Sequence, residues 1–394
     1  MPWNRGESIA QISITLKVDY FRDQWRAWRV LGALELNARR YWSGAMLLNI
    51  VVALYAPALL LSMFSFETPL ENITNFSLSI TSTATVLKFG LYVLQLGRVG
   101  DLEKVIARLD DRVEGAEQLR CHRQMAKKLR HLSNLFLYTY GFVLLNSEFS
   151  FLFRSERSLP FPSWFPFDWK TSTVNYIGAL GFQLVAIFGQ ILQNFVDDSF
   201  PPLALCLCAG HCQLLILRIS SIGHAPSEQQ ANEAELVDCI KDQKELYGLL
   251  ELTRDVISWP MLIQFFVMAL NIGATMFGLV FFADTMQDRM YFVSYLLALV
   301  LQTYPVCYYG SLLEDGFGHL HYAVFGSNWV SQSRSYRASM TILGERTKRH
   351  PRLLAGSLVP IHLSTFQGTC KAAYSFFTLI GNTRERAGPD PSQN

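Results

Sequence analysis

Three charged residues lie inside long apolar segments, where a charge is costly and is often retained for function. They are Lys88, Glu148 and Lys371. For Lys88 we favour a structural role, paired with a carboxylate or a helix carbonyl. Glu148 is predicted to occupy a solvated vestibule, with a ligand or ion-path role as the alternative. Lys371 is expected to face a neighbouring helix or a wide wet vestibule, because a lysine lining a cation pore would repel the permeant ion.

A group of cysteines and one histidine has the residue types of a metal site. Cys206, Cys208, His211 and Cys212 follow one another closely. On a helix only Cys208, His211 and Cys212 share a face, and a fourth ligand is not evident. We interpret them as small polarizable residues that pack between helices, and we predict no metal and no cofactor.

Enzyme signatures are missing from the sequence. It has no Gly-rich phosphate loop, no His-Glu-x-x-His and no Gly-x-Ser-x-Gly. The adjacent carboxylates Asp110-Asp111 and Asp197-Asp198 project in different directions on a helix, so we predict that they occupy solvated faces or helix caps. We therefore predict that the protein is not an enzyme. No nucleic-acid partner is predicted either.

The composition indicates that lipid solvates part of the chain. The 394 residues are 50% hydrophobic and only 17% charged, whereas soluble proteins carry about 25% charged residues. Long uncharged runs alternate with densely charged loops, as in integral membrane proteins. The fold class is therefore predicted to be an all-α membrane protein with seven spanning helices, and the soluble globular class is excluded.

Seven segments are long enough to cross a bilayer, because about 20 helical residues span about 30 Å of hydrocarbon. They are Trp42–Phe64, Asn75–Leu96, Ser133–Phe153, Val174–Val196, Trp259–Ala283, Met290–Leu313 and Leu353–Ile380. An eighth apolar segment, Ser199–Leu217, is interpreted as a cytoplasmic continuation of the fourth helix, kinked at Pro201-Pro202. An eighth span would place the basic segment 314–352 outside the cell.

Loop charge sets the predicted sidedness, since cytoplasmic loops collect Lys and Arg. With a cytoplasmic N-terminus, the inside segments hold 26 of the 34 basic residues. The C-terminus is then extracellular, and helices four to six carry long cytoplasmic extensions. Two glycosylation sequons, at Asn72 and Asn75, lie in or beside the first outside loop. Chance occurrence is the alternative, because such triplets are common and both asparagines lie close enough to the bilayer to be poor acceptors.

Aromatic residues are abundant in the outer halves of the spans. They include Phe149, Phe151, Tyr176, Phe282, Tyr291, Phe292 and Tyr295. Core packing and interfacial belts are one interpretation. The other is an apolar pocket with few polar anchors, suited to small, volatile or lipophilic ligands.

Three motifs in the last third of the chain indicate the protein family. Pro305-Val-Cys-Tyr-Tyr-Gly310, Tyr322-Ala-Val-Phe-Gly-Ser-Asn-Trp329 and Lys371-Ala-Ala-Tyr-Ser-Phe-Phe-Thr-Leu379 follow one another at wide spacing. Their order and spacing resemble the insect odorant receptor family. The likeness covers the whole chain in architecture and is specific in roughly residues 300–380.

The resemblance implies a ligand-gated, non-selective cation channel in the plasma membrane of a sensory neuron dendrite. Family members assemble as tetramers in which a tuning receptor pairs with a shared co-receptor subunit, and odorants bind among helices two to six. The chain lacks the long cytoplasmic insertion and the distinctive C-terminus of the co-receptor, so it resembles a tuning subunit.

The resemblance also implies a division of the chain. Its parts are a cytoplasmic segment 1–41, a ligand-binding bundle 42–313, a cytoplasmic anchor 314–352, a pore-lining helix 353–380 and an extracellular tail 381–394. Leu379 matches the hydrophobic gate of the family, and Asn382 matches a polar amide position just outside it.

No motif identifies the pocket residues, so candidates are chosen by helix position alone. They are Thr83, Val86, Gly141, Leu145, Glu148, Gly181, Leu184, Tyr291 and Tyr295. A gustatory receptor of the same fold is the nearest alternative function. A G-protein-coupled receptor has its N-terminus outside, against the charge distribution. A transporter or membrane enzyme would show repeats or catalytic motifs that are missing here.

Overall fold

A computed structural model describes residues 19–33, 39–63, 69–149, 159–224, 229–283, 285–348 and 352–387. The helices are α1 (Arg22–Val30), α2 (Arg39–Ser62), α3 (Pro69–Asp110), α4 (Ala116–Phe149), α5 (Thr173–Ser221), α6 (Gln229–Phe281), α7 (Met286–Gly326), α8 (Arg334–Thr347) and α9 (Leu363–Ala387). Strands β1 (Leu354–Ala355) and β2 (Val359–Pro360) form one antiparallel hairpin. The prediction of an all-α fold is confirmed.

Helices α3, α5, α6 and α7 have 42, 49, 53 and 41 residues, about twice the roughly 20 that cross a bilayer. Within the described residues, five helices are long and apolar enough to span a membrane: α2, α3, α5, α6 and α7. The predicted third and seventh spans correspond to α4 and α9. The third prediction extends to Phe153, beyond the described part of α4, and α9 is more polar than each of those five helices.

Helix α5 is the central element of the fold. Every residue from Gln193 to Ala209 is buried, as expected for a helix that is apolar on all sides. The predicted cytoplasmic continuation of the fourth span therefore exists as part of one unbroken helix. Pro201 lacks the N–H that would donate to the carbonyl of Asp197. The hydroxyl of Tyr92 donates to that carbonyl instead, at 3.4 Å.

The cytoplasmic part of the molecule contains the largest hydrophobic core. Aromatic rings of α1 and α3 surround Phe200 of α5, with centroid distances of 5.2 Å to Phe21, 5.6 Å to Trp28 and 5.8 Å to Tyr92. All four side chains are fully buried. This packing fixes the short helix α1 against the bundle, and the Gln24 amide adds a hydrogen bond of 2.9 Å to Ser199.

Ion pairs hold the cytoplasmic parts of α3 and α6 side by side. The pairs are Arg98–Asp255 at 3.5 Å, Arg108–Glu245 at 2.7 Å and Arg112–Asp238 at 3.2 Å. All three are partly exposed, so each stabilises the fold by only about 0.2–1 kcal/mol. Their regular placement along both helices sets the register of the pair.

The start of the predicted seventh span, Leu353–Ile380, is a hairpin rather than a helix. Its turn holds Gly356 and Ser357 at φ values of +57° and +61°, a left-handed conformation that no α-helix contains. The N–H of Gly356 donates to the carbonyl of Ser258 at 3.0 Å, which ties the hairpin to α6. Helix α9 consequently begins at Leu363.

Candidate ligand site

A buried polar network joins five helices near the middle of the spans. Nζ of Lys88 on α3 lies 2.7 Å from Oδ1 of Asp198 on α5 and 2.7 Å from Oε1 of Gln264 on α6. The hydroxyl of Tyr140 on α4 donates to Oδ2 of the same carboxylate. The amide of Gln302 on α7 donates to the Tyr140 hydroxyl at 3.1 Å. One carboxylate thus links α3, α4, α5, α6 and α7 through its two oxygens.

This network confirms one prediction and corrects another. Lys88 pairs with a carboxylate inside the bundle, as predicted. The prediction that Asp197 and Asp198 are solvated is wrong, because their exposed fractions are 2% and 4%. Loop charge places both at the inner end of a span, but the helix continues past them, and neighbouring helices cover them there.

A small cavity lies directly beside the network, and Lys88, Asp198, Gln264 and Gln302 belong to both. Its lining residues are Thr81, Ala84, Thr85, Lys88, Asn194, Asp198, Gln264, Val267, Met268, Asn271, Leu299 and Gln302. They come from α3, α5, α6 and α7 and cluster at mid-depth in the spans of α3, α6 and α7. The wall combines apolar side chains with a few convergent polar groups, the usual composition of a small-molecule site.

Two of the predicted ligand residues lie close to this cavity. The hydroxyl of Tyr295 is 3.3 Å from Oγ1 of Thr81, a lining residue. The ring of Tyr291 stacks on that of Tyr295, with centroids 6.3 Å apart. Tyr291 is 39% exposed, so it lies at the edge of the bundle. Neither tyrosine is part of the described lining, and their assignment to a ligand site stays a prediction.

The other predicted ligand residues do not converge on the cavity. Thr83 and Val86 are half-buried on α3, Leu184 is half-buried on α5, and neither Gly141 nor Gly181 has a neighbour within 4 Å of where its Cβ would lie. Leu145 is 60% exposed. The side chain of Glu148 lies outside the described residues. Helix position gave the depth of these residues but not the direction in which they face.

Sequence reasoning missed the polar residues that build the site. Asn194, Gln264, Asn271 and Gln302 are neutral, so a search for charges inside spans overlooks them. A usable signal existed, because amide side chains in otherwise apolar spans need partners within the bundle. All four lie in segments predicted to span the membrane.

Comparison with known proteins agrees with this architecture. The sequence model of the family described as 7tm Odorant receptor matches residues 68–374. This range covers most of the chain and includes the cavity, the network and the first half of α9. The chain belongs to the insect odorant receptor family.

Individual members of the family are similar over nearly their full length. Odorant receptor 23a of Drosophila melanogaster is 51% identical over 372 residues, covering 94% of this chain and 98% of that protein. Odorant receptor 59a of the same species is 37% identical over 391 residues, covering 93% and 98%. These are receptors rather than enzymes. They do not favour the alternatives of a G-protein-coupled receptor or a transporter.

A solved structure shows the same fold. The insect olfactory receptor OR5 from Machilis hrabei superposes with a TM-score of 0.75 at 13% identity, covering 92% of this chain and 99% of that one. Its complex with eugenol superposes with a TM-score of 0.72. The protein is therefore a multi-pass, seven-helix membrane protein of this family.

The predicted pore residues belong to α9, the helix that packs on α6 and α7. Leu379 and Asn382 lie within its bounds, but their side chains lie outside the described residues. Lys371 is exposed on the single chain, which agrees with either of its predicted settings. The assignment of a gate to Leu379 thus stays a prediction.

The two sequons differ in their surroundings. Nδ2 of Asn75, the atom that would carry a glycan, donates to the carbonyl of Leu59 at 3.0 Å and to Oγ of Ser62 at 2.8 Å. Asn75 is fully buried, so this folded position opposes glycosylation. Asn72 is half-buried near the start of α3. Of the two predicted sites, Asn72 is the more accessible.

The cysteine and histidine group is part of the cytoplasmic core. Cys208 lies 3.4 Å from Oγ1 of Thr253, and the described residues contain no group of three or more side chains arranged to hold a metal ion. Nε2 of His211 is 3.6 Å from Asp110, whose carboxylate also contacts His122 at 2.8 Å. Burial lowers the pKa of His211 to about 4, so its ring is neutral at pH 7.

Proposed function

We propose that this chain is the tuning subunit of a heterotetrameric, non-selective cation channel that a small volatile or lipophilic ligand opens. The observation that carries the proposal is the cavity between α3, α5, α6 and α7 in a chain of the odorant receptor family. Its mixed apolar and polar wall suits a small neutral molecule. The location that follows is the plasma membrane, on the dendrite of a sensory neuron.

The gating mechanism follows from population shift. A ligand opens the channel only to the extent that it binds the open state more tightly than the closed one. The cavity is bounded by α6 and α7, and α9 packs on both helices. Occupying the cavity therefore acts on the helix to which we assign the pore. A ring of apolar Leu379 side chains around a subunit axis would close that pore by dewetting.

The direct test is whole-cell recording with a chemically broad odorant panel, with and without the co-receptor. We expect the ligand-evoked current to depend on the co-receptor. A full response from this chain alone would reject its assignment as a tuning subunit.

The gate assignment has its own test. Leu379→Ala is expected to raise basal current or to change ion selectivity, because a smaller side chain weakens the hydrophobic constriction. The matched control is Leu358→Ala, whose side chain is 75% exposed at the hairpin. An unchanged leak together with an unchanged reversal potential in Leu379→Ala would count against the gate.

A further inference from the structure

A polar group of three residues lies at the outer end of the cavity. Nδ2 of Asn271 is 2.9 Å from Oγ1 of Thr81, and the hydroxyl of Tyr295 lies 3.3 Å from the same oxygen. Oγ1 of Thr81 donates its own hydrogen to the carbonyl of Ser77 at 2.8 Å. Thr81 therefore accepts from both neighbours, since its single hydrogen is already used.

This assignment of donors fixes the orientation of the Asn271 amide. Because Nδ2 must face Thr81, Oδ1 points away from it. Asn271 is 1% exposed, and its Oδ1 has no hydrogen-bond partner among the described residues. A buried amide oxygen without a donor is unfavourable, so an occupant that supplies one gains affinity. Asn271 also belongs to the cavity lining.

The remainder of the cavity limits the occupant. Val267, Met268 and Leu299 supply apolar wall, and the lining cation Lys88 is already paired with Asp198. Charged ligands thus find no free partner among the described lining residues. The wall suits a small apolar molecule with one hydrogen-bond donor.

Building on the proposed function, we infer that the activating ligands are small neutral alcohols whose hydroxyl donates to Oδ1 of Asn271. Ethers, esters and ketones of the same carbon skeleton have no such hydrogen and leave Oδ1 unpartnered. A site built around a polar group discriminates strongly against analogues that cannot satisfy it. The phenol of Tyr295 donates its single hydrogen to Oγ1 of Thr81, so it adds no donor that would favour the acceptor-only ligands.

The test uses matched pairs of an alcohol and its methyl ether on the chain expressed with the co-receptor. The pairs are 1-hexanol with 1-methoxyhexane, cyclohexanol with methoxycyclohexane, and benzyl alcohol with benzyl methyl ether. In at least one pair the alcohol is expected to have a half-maximal concentration about 5- to 100-fold lower than the ether. Asn271→Leu should bring this ratio to within about 2-fold, chiefly by weakening the alcohol response.

Two further variants make the result decisive. Thr303→Val is the matched control, because Oγ1 of Thr303 is also buried without a partner while the residue lies outside the described lining. It should leave the ratio unchanged. Thr81→Val removes the acceptor that orients the amide and should lower the ratio even if Asn271→Leu fails to reach the cell surface.

The outcomes separate the two proposals. Currents evoked equally by alcohols and ethers, or an alcohol advantage that survives in Asn271→Leu and Thr81→Val, would overturn this inference and leave the proposed function intact. Silence towards these pairs alongside responses to ketones or esters would also overturn it. Silence towards the whole odorant panel would reject the proposed function.

Discussion

The cytoplasmic and outer parts of this receptor consist largely of the same helices, but they are packed differently. On the cytoplasmic side one continuous hydrophobic core includes residues of α1 and of α3 to α8. Farther out, the buried apolar residues form two small clusters, one between α2 and α5 and one between α6, α7 and α9. The cavity and the Lys88 network lie where these two kinds of packing meet.

The difference in packing suits the two parts to different mechanical roles. Close-packed interiors resist deformation, whereas regions with few buried contacts open at low free energy. A channel subunit needs a rigid part to keep its place in the assembly and a yielding part to admit a ligand.

The largest expected effect comes from breaking the Lys88–Asp198 ion pair, which lies where the two parts meet. Lys88→Met leaves the carboxylate of Asp198 buried without its cation, and loss of one partner of a buried pair costs about 3–5 kcal/mol. We expect a marked drop in the melting temperature of the purified protein in detergent. Lys104→Met removes an exposed partner of Asp101 and should change it little. Equal melting curves for the two variants would contradict the structural role of Lys88.

A second pair of variants compares the packing of the two parts directly. Leu203 is fully buried in the cytoplasmic core, whereas Leu145 is 60% exposed in the outer part. Leu203→Ala should lower the free energy of unfolding by about 3 kcal/mol through lost burial and a residual cavity. Leu145→Ala should stay within about 0.5 kcal/mol. Similar losses in thermal unfolding would show that the two parts are packed alike.

A smaller effect on stability is expected from the titration of Glu103, a buried residue in the cytoplasmic part. Burial raises the pKa of Glu103 to about 7 from 4.5, and Trp25 on α1 donates to its carboxyl group. The neutral acid is therefore favoured in the folded state. Its stabilising contribution is complete below about pH 4.5 and is lost as pH rises through about 7.

The measurement is a series of melting curves from pH 5 to pH 8. Glu103→Gln is neutral throughout and keeps an oxygen to accept from Trp25. We expect the wild type to lose about 1–2 kcal/mol relative to this variant as the pH rises. Parallel profiles for the two proteins would show that Glu103 does not titrate in this range.

The sequence predicted well which segments form helices, but it predicted poorly which way their side chains point. Apolar length and loop charge located the spans and the cytoplasmic continuation of α5, because both signals are local. It was also predictable that Lys88 has a polar partner, since a buried cation requires one. The identity of that partner, Asp198, depends on how α3 and α5 pack, and no local pattern encodes this.

The candidate ligand site was hard to predict for the same reason. Tyr295 was chosen as a candidate because aromatic residues cluster near the outer ends of the spans, whereas Asn271 was not chosen because a single neutral amide gives no periodic signal. The hairpin before α9 was missed because an apolar run alone does not distinguish a helix from a buried turn. Gly356 was the one local indication of that turn.

The most direct test of the division into two parts is hydrogen–deuterium exchange of the heteromer in lipid nanodiscs, with and without the strongest agonist found by recording. We predict that the peptide covering Gln193–Ala209 stays protected in both states, and that agonist slows exchange in the peptides lining the cavity, around Thr81 and Asn271. Faster exchange in Gln193–Ala209 than around the cavity, or an agonist effect confined to the cytoplasmic core, would contradict the account.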